Sequence, residues 1–427
     1  MSVARFSPPF GPLDVEMAVP GSKSVANRAL VCAMLADGVS QIRGLPDGDD
    51  TEVVLKVLRE MSVVTSSQNG CHIQGNPRAV LPGIVDAQLA GTSSRFLTAV
   101  AVLSDSFTVI DGGAPLRSRP MGDLHDALVR LGATVDPLGE PGHLPVSVSG
   151  GQVSGGQISM KADVSSQFVS ALMLIAPYLA GGLVIDLEGP QVSSSYIAMT
   201  ARVMASFGVP VVMSDNRIEI PHMTYQACEY VVEPDFSSAA FPIVALLLRG
   251  GQLQIRDLAL GMHQGDAAIL QIAEKMGAAW SVRDNDIVMS CSPGVHVSSL
   301  SLDMAECSDL VPVVAVAMTH CVGEGLINDV GFIRNKESDR LGDVAAELAR
   351  TGAIVDVKDD GLSLRGRPKM ASAVLQTHHD HRLAMSFALL SLLNDGILVK
   401  DPEVVSKSWP HYFSDMADIL GPVDIEN

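Results

Sequence analysis

Paired cysteines, a long apolar run, an excess of positive charge and a low-complexity linker are all missing from this chain, and each absence removes a class of protein. The six cysteines (Cys32, Cys71, Cys228, Cys291, Cys307 and Cys321) form no CxxC pair and no zinc-like spacing, which argues for buried, reduced thiols rather than a disulfide framework or a structural metal. The longest apolar stretches, such as 241–248 and 311–319, fall well short of the roughly 20 residues that span a bilayer. The opening residues, MSVARFSPPFGPLDVEM, have neither the basic start nor the apolar core of a secretory signal, so a cytoplasmic protein is expected. With 29 Lys and Arg against 48 Asp and Glu, a formal charge of -19, no broad face is available to a nucleic acid. Any anionic ligand has to be caught locally.

What is present is apolar content, 47% over 427 residues, enough for two or three domains, and a long internal period. Polar anchors that open apolar segments fall at Ser24, Ser94, Ser166, Ser238, Asp309 and His381, spaced by 70, 72, 72, 71 and 72 residues. The segments after them (ALVCAML, FLTAVAVL, FVSALMLIA, FPIVALLL, LVPVVAVAM, LAMSFALLSLL) are apolar nearly all round and belong inside a domain. Most run on to glycine, which is expected to cap them. A short strand and then a half-polar outer helix follow in each repeat, and the outer helices leave through LGATV, FGVPV, MGAAW and TGAIV, each with Gly at the helix end. Pro120 is expected in the first turn of one such helix, and the last repeat is expected to stop after its second helix. Solenoids have shorter periods and one consistent face, so the repeats read as small α/β subdomains. Six of them split three and three near Glu233 across a short hinge.

The anchors carry more charge and hydroxyl than a core boundary needs. The stretch GSKSVANR (21–28) delivers Lys23, Ser24 and Arg28 to a helix start, where two cations oppose the helix dipole unless an anion sits between them. Later repeats offer Gly91, Thr92 and Arg95, then Arg117 and Arg119, then Ser165, Ser166 and Gln167, then Ser193, Ser194, Ser195 and Tyr196. The second half adds Asp235, Ser237, Ser238, Asp309, the run Arg334 to Arg340 with Lys336 and Glu337, the run His378 to Arg382, and Lys407. A single Ser or Asp before a helix is most simply an N-cap, and the charged run at Asp339 and Arg340 reads equally well as an exposed helix start. The HHDHR stretch has no partner ligand set elsewhere, so a metal is not expected.

Taken in order, GSKSVANR, AGTSSRF, PLRSRP, DVSSQF, NKESDR, HHDHR and the segment around Lys407 resemble the 5-enolpyruvylshikimate-3-phosphate (EPSP) synthase family over essentially the whole chain. The resemblance implies an α/β fold of two domains, each of three repeated βαβαββ-type units (an inside-out α/β barrel, the enolpyruvyl transferase fold), closing about a hinge. The domains would be 1–15 with 234–427, and 16–233. It implies a transferase of aromatic amino acid biosynthesis. The enolpyruvyl group of phosphoenolpyruvate would pass to the 5-hydroxyl of shikimate 3-phosphate on the way to chorismate, without cofactor or metal. By the match, Lys23, Ser24, Arg28, Ser165, Ser166, Gln167, Ser193, Tyr196, Asp309 and Lys336 would hold shikimate 3-phosphate. Lys23, Gly91, Arg119, Gln167, Arg340, Arg382 and Lys407, with Lys336 beside them, would hold phosphoenolpyruvate. Asp309 and Glu337 would move protons, Asp309 at the hydroxyl and Glu337 at carbon, with Lys23 beside them as a catalytic cation. A monomer inhibited by glyphosate is implied as well.

Two positions depart from the family pattern. Where an Asn is usual before the Gly-Thr turn, this chain reads Gln88-Leu89-Ala90-Gly91-Thr92, and Phe332 stands where a polar residue is common. The sister enzyme acting on UDP-N-acetylglucosamine usually carries a loop cysteine where this chain has Arg117 and Arg119. A non-catalytic relative would have lost Lys23, Asp309, Glu337 or Arg382, and RNA-end cyclases are disfavoured by the charge of -19.

Overall fold

The computed structural model describes residues 2–67, 70–150, 153–161, 165–189, 193–294, 299–366 and 370–426. Asp163 and Val164 of the DVSSQF stretch lie outside them. The chain divides into two compact units, Gly21–Val232, and Met1–Pro20 together with Glu233–Asn427.

One plan recurs six times. In the third repeat, strands Gly156–Lys161 and Leu183–Glu188 lie parallel, and the apolar helix Ser166–Ile175 runs between them in sequence. The outer helix Ser194–Ser206 then leads into the hairpin Val212–Ser214 and Arg217–Ile220, whose second strand returns antiparallel to Leu183–Glu188. That is a βαβαββ unit closed as a four-stranded sheet, and all six sheets have this order.

Three of the sheets draw a strand from far along the chain. Glu229–Val231 supplies the first strand of the first repeat's sheet, parallel to Gly38–Arg43, and Leu13–Met17 does the same for the fourth, parallel to Gly251–Ile255. The sixth repeat does not stop after its second helix, as the sequence suggested. Val423–Glu426 follows, and Val3–Phe6 from the other end of the chain lies antiparallel between it and Ile397–Lys400. The chain therefore crosses between units at Pro20 and again at Val232, since Val3–Phe6 and Leu13–Met17 belong to the sixth and fourth repeats' sheets while Glu229–Val231 still belongs to the first's.

Each unit has its own apolar core. The inner helices Lys23–Leu35, Gly91–Ala101 and Ser166–Ile175 form one, and Phe236–Arg249, Val311–Met318 and His381–Ala388 the other. These segments bury residues on every face, as their composition requires, whereas outer helices such as Asp49–Glu60 bury only one stripe.

The outer helices leave as expected, through Gly132, Gly208, Gly277 and Gly352 at φ 101, 83, 97 and 89°, with Ser62 taking φ 57° at the matching place in the first repeat. The inner helices differ from expectation. Only Phe236–Arg249 ends on a glycine cap, Gly250, while Lys23–Leu35 and Gly91–Ala101 end at Ala36 and Val102. A fully buried helix is held by packing and does not need the cap. Pro120 precedes its helix, Gly122–Arg130, whose N-cap is Met121.

Candidate active site

Within each unit the inner helices begin side by side, and the polar anchors gather there. In the unit containing Glu233–Asn427 the centre is Arg340, 1% exposed. Its Nε donates to Asp380 Oδ2 at 2.7 Å, Nη1 to Asp309 Oδ1 at 2.8 Å, and Nη2 to Glu337 Oε2 at 2.8 Å and Asp380 Oδ1 at 3.2 Å. A planar guanidinium with five N–H donors in a fixed fork suits three carboxylates at once.

Each carboxylate then reaches a second cation or a backbone N–H. Arg382 Nη2 donates to Asp309 Oδ2 at 2.9 Å, and Lys336 Nζ lies 3.6 Å from Asp309 Oδ1. Lys407 Nζ donates to Glu337 Oε1 at 3.2 Å. Asp380 caps the helix His381–Ala388 by accepting from Arg382 N at 2.9 Å, and it also accepts from Ser338. Burial by itself would raise the Asp309 pKa, but Arg382, Lys336 and Arg340 outweigh it and hold the carboxyl well below its ordinary value. Asp309 ends a 3-10 turn, Ala305–Leu310, with Cys307 outside helical geometry at φ -135°. Asp339 accepts from Leu341 N and Gly342 N, which makes it a local turn residue at the start of the next helix.

The other unit arranges its anchors in two groups. Lys23 Nζ pairs with the buried Asp50 at 2.9 Å, and Ser93 Oγ donates to the Asp50 carbonyl at 2.7 Å. Arg28 is held deep within this unit. It is 1% exposed, donating to Thr200 Oγ1 at 2.7 Å, Ser24 O at 2.8 Å, Ser170 Oγ at 3.2 Å and Tyr196 O at 3.3 Å. Its guanidinium packs over the rings of Phe96 and Tyr196. Burial lowers its pKa to about 10, so it stays charged at neutral pH. In the second group Arg95 Nη1 donates to Gln167 Oε1 at 2.6 Å, which turns the Gln167 amide so that its NH2 faces away as a donor. Ser165 caps the helix Ser166–Ile175, accepting from Gln167 N. Ser193 sits at φ 56° just before Ser194–Ser206.

Gly91 opens its helix against two guanidinium groups. A β-carbon there would lie 2.6 Å from Arg119 Nη1 and 2.8 Å from Arg95 Nη1, so only glycine lets both arginines approach this helix start. Leu89 is 40% exposed, and Phe332 packs against its unit's core. His378 bonds Glu347 at 3.1 Å and faces Asp343 at 3.4 Å. No group of three or more His, Cys, Asp or Glu side chains suited to a metal occurs among the described residues.

Sequence reasoning singled out Arg340, Asp309, Glu337, Lys336, Arg382 and Lys407, and the structure brings all six together in one unit. It brings Gly91, Arg119, Arg95 and Gln167 together in the other. Asp50 was missed because an acidic residue at a helix start reads as a complement to the helix dipole.

Repeated α/β units with cations and hydroxyls gathered at buried helix starts define a protein that handles compact, multiply charged anions. A family model for EPSP synthase (3-phosphoshikimate 1-carboxyvinyltransferase) matches residues 9–416, and the chain belongs to that family. Proteins named 3-phosphoshikimate 1-carboxyvinyltransferase from Nostoc sp. and Nostoc punctiforme are 35% and 36% identical, over 94% and 96% of this chain and 96% and 97% of theirs. One of that name from Shewanella denitrificans is 34% identical over 96% of this chain and 97% of its own. A solved EPSP synthase structure from Acinetobacter baumannii superposes with a TM-score of 0.83 over 100% of both chains at 24% identity. The fold is the two-domain enolpyruvyl transferase fold.

Breaking the Arg340 hub leaves buried carboxylates without their shared cation. Arg340→Gln is expected to cost about 3–5 kcal/mol, read as a lower urea midpoint, and Arg340→Lys recovers only part because one ammonium cannot reach three carboxylates. The Asp309 share of that stability has a defined sign. Its folded pKa is depressed, so its contribution is full above the ordinary carboxyl value of 3.8 and fades only as pH falls toward the depressed value. A loss under about 1 kcal/mol in Arg340→Gln would show that the hub is not holding these groups.

Proposed function

We propose that the carboxylate-bridged cations of one unit and the hydroxyl and cation groups of the other carry the EPSP synthase reaction. The enzyme transfers the enolpyruvyl group of phosphoenolpyruvate to the 5-hydroxyl of shikimate 3-phosphate, giving EPSP and inorganic phosphate. The 5-oxygen attacks C2 of phosphoenolpyruvate as its hydroxyl proton leaves, and C3 gains a proton, giving a tetrahedral adduct that keeps the phosphate. The methyl then returns a proton, the double bond re-forms, and phosphate departs.

Asp309 and Glu337 suit these transfers because two carboxylates bridged by one guanidinium stay close in space yet meet different second cations, Arg382 with Lys336 and Lys407. That bridging through Arg340 is the observation that carries the reading. We assign Asp309 to the hydroxyl and Glu337 to carbon, with Lys23 as a catalytic cation. A carboxylate pinned by three cations is a weak base; anionic substrates that draw those cations toward themselves raise its basicity at the point of use.

Shikimate 3-phosphate is assigned to Lys23, Ser24, Ser165, Ser166, Gln167, Ser193, Tyr196, Asp309 and Lys336. Arg28 serves this set from within, through Ser24 and Tyr196. Phosphoenolpyruvate is assigned to Lys23, Gly91, Arg119, Gln167, Lys336, Arg340, Arg382 and Lys407. The protein is proposed to work as a cytoplasmic monomer, and no helix among the described residues is long and apolar enough to cross a membrane.

Asp309→Ala and Glu337→Ala are each expected to lower kcat by roughly 10²-fold or more, the usual scale for a lost general acid or base. Phosphate release in the presence of both substrates measures this. Near-normal turnover in either variant removes that residue from the chemistry, and turnover with UDP-N-acetylglucosamine instead would reassign the acceptor.

Glyphosate, a phosphonate and carboxylate joined through an ammonium, is expected to compete with phosphoenolpyruvate at Gly91, Arg119 and Lys23. In Gly91→Ala the new methyl meets Arg119 and Arg95 before anything else, so KM for phosphoenolpyruvate rises while the longer inhibitor loses more. Steady-state titration distinguishes the outcomes. Equal losses for donor and inhibitor, or no inhibition of the wild type at millimolar glyphosate, contradict the placement.

A further inference from the structure

Asp266 lies directly behind the Arg382–Asp309 pair and takes no part in the reaction as assigned. It sits in the 3-10 turn Gly265–Ala267, 5% exposed. Its Oδ2 receives the Ser237 hydroxyl, and its Oδ1 has no partner among the described residues. Ser237 Oγ in turn receives Arg382 Nη2 at 3.3 Å, and the same Nη2 donates to Asp309 Oδ2 at 2.9 Å. Four side chains thus form one line, Asp266, Ser237, Arg382, Asp309.

The cations in this line are distributed unequally. Arg340, Arg382 and Lys336 all pair with Asp309, while no cation pairs with Asp266 among the described residues. The groups that face Asp266 are Asp235 from the start of Phe236–Arg249, Asp309 and the Cys307 thiol from Ala305–Leu310, and Arg382 from His381–Ala388. Two of the four are carboxylates, and the thiol stays neutral, since burial pushes its pKa up to about 12. A buried carboxylate with acids around it, one oxygen unpartnered and its only bond from a hydroxyl, is costly in ionised form and tolerable as a neutral acid.

We propose that Asp266 is a positioning residue that works protonated, steadying Ser237 against Arg382 without drawing the guanidinium away from Asp309. Burial, with Asp309 and Asp235 adding to it and Arg382 and Ser237 opposing, pushes its pKa up to about 7. The charge count agrees with that assignment. Lys336, Arg340, Arg382 and Lys407 face the carboxylates Asp309, Glu337 and Asp380, and Asp235 beside Asp266 makes the balance four against four before Asp266 is counted. Ionised Asp266 would leave the cluster net negative, opposing an anionic substrate, and would compete for Arg382.

This rests on the phosphoenolpyruvate assignment above, and the test therefore includes a readout that does not use it. In the wild-type enzyme, KM for phosphoenolpyruvate is expected to rise as pH climbs through about 7. Asp266→Asn keeps the acceptor for Ser237 but cannot ionise, so its profile meets the wild-type one at acid pH and lacks that rise. Running both in the same buffers cancels the titration of the substrates. Asp266→Ala, which loses the acceptor, weakens phosphoenolpyruvate at every pH, a pattern that loss of packing alone does not rescue with Asn.

The activity-independent readout is thermal stability. A carboxyl whose folded pKa is raised binds more protons folded than unfolded between the two values, so stability falls as pH rises from about 4 to about 7. Asp266→Asn removes this fall, and its Tm relative to wild type climbs across that window. Superimposable KM profiles together with parallel Tm curves overturn the proposal. Climbing Tm with no turnover of phosphoenolpyruvate by the wild type keeps the proton on Asp266 but overturns the function. Should Asp266→Asn not fold, infrared titration of the wild type decides, since the absence of a protonated buried carboxyl band below neutral pH overturns the proposal.

Discussion

One guanidinium, that of Arg340, sets the geometry of the two carboxylates proposed to move protons. Three carboxylates from separate stretches of chain, Asp309, Glu337 and Asp380, meet on it, and each is then tied to a further cation or to a helix start. A lone buried ion of either sign would be intolerable here. The network is stable because every member satisfies another, and its cost is that the two groups suited to proton transfer are neutralised by the same cations that suit phosphate and carboxylate ligands. On the proposed assignment the chemistry depends on exchange, in which arriving anions take over the cations and the carboxylates are released for work.

The repeat supplies the frame for this exchange. Apolar helices buried on all sides must start at a core boundary, and in each unit the boundary positions of three repeats lie together. Small residues at these starts let charged ones approach. At Gly91 the missing β-carbon admits Arg119 and Arg95, and at Ser93 a hydroxyl fastens the backbone of Asp50, which in turn holds Lys23. Six copies of one fold therefore give one functional rim per unit, with side chains differing by position rather than by backbone.

Much of this was legible in the chain. The period of about 72 residues marked the six starts, apolar helices separated from amphipathic ones by pattern alone, and glycine marked four outer-helix exits because a left-handed residue is needed there. Long-range pairing was harder to read. Nothing local in Val3–Phe6 or Glu229–Val231 says which sheet it completes, since a strand pattern fixes a face and not a partner. Arg28 shows the same limit. Cation spacing suggests a ligand but says nothing of Thr200 and Ser170, which accept from its guanidinium and are more than 140 residues away in sequence. Asp266 was missed because its role comes from burial and from the acids around it, neither of which is a local signal. Lys407 stood out only as a cation ahead of Trp409 and Pro410, and the resemblance alone implied a ligand for it.

The exchange of cations between carboxylates and substrates has a direct test in the binding of phosphoenolpyruvate to Asp309→Asn, measured by calorimetry with shikimate 3-phosphate present. If Asp309 competes for Arg382, Lys336 and Arg340, removing its charge frees them, and the variant binds phosphoenolpyruvate several-fold more tightly than wild type although it turns over poorly. Equal or weaker binding would contradict the account, since it would mean that the carboxylate and the substrate do not share those cations.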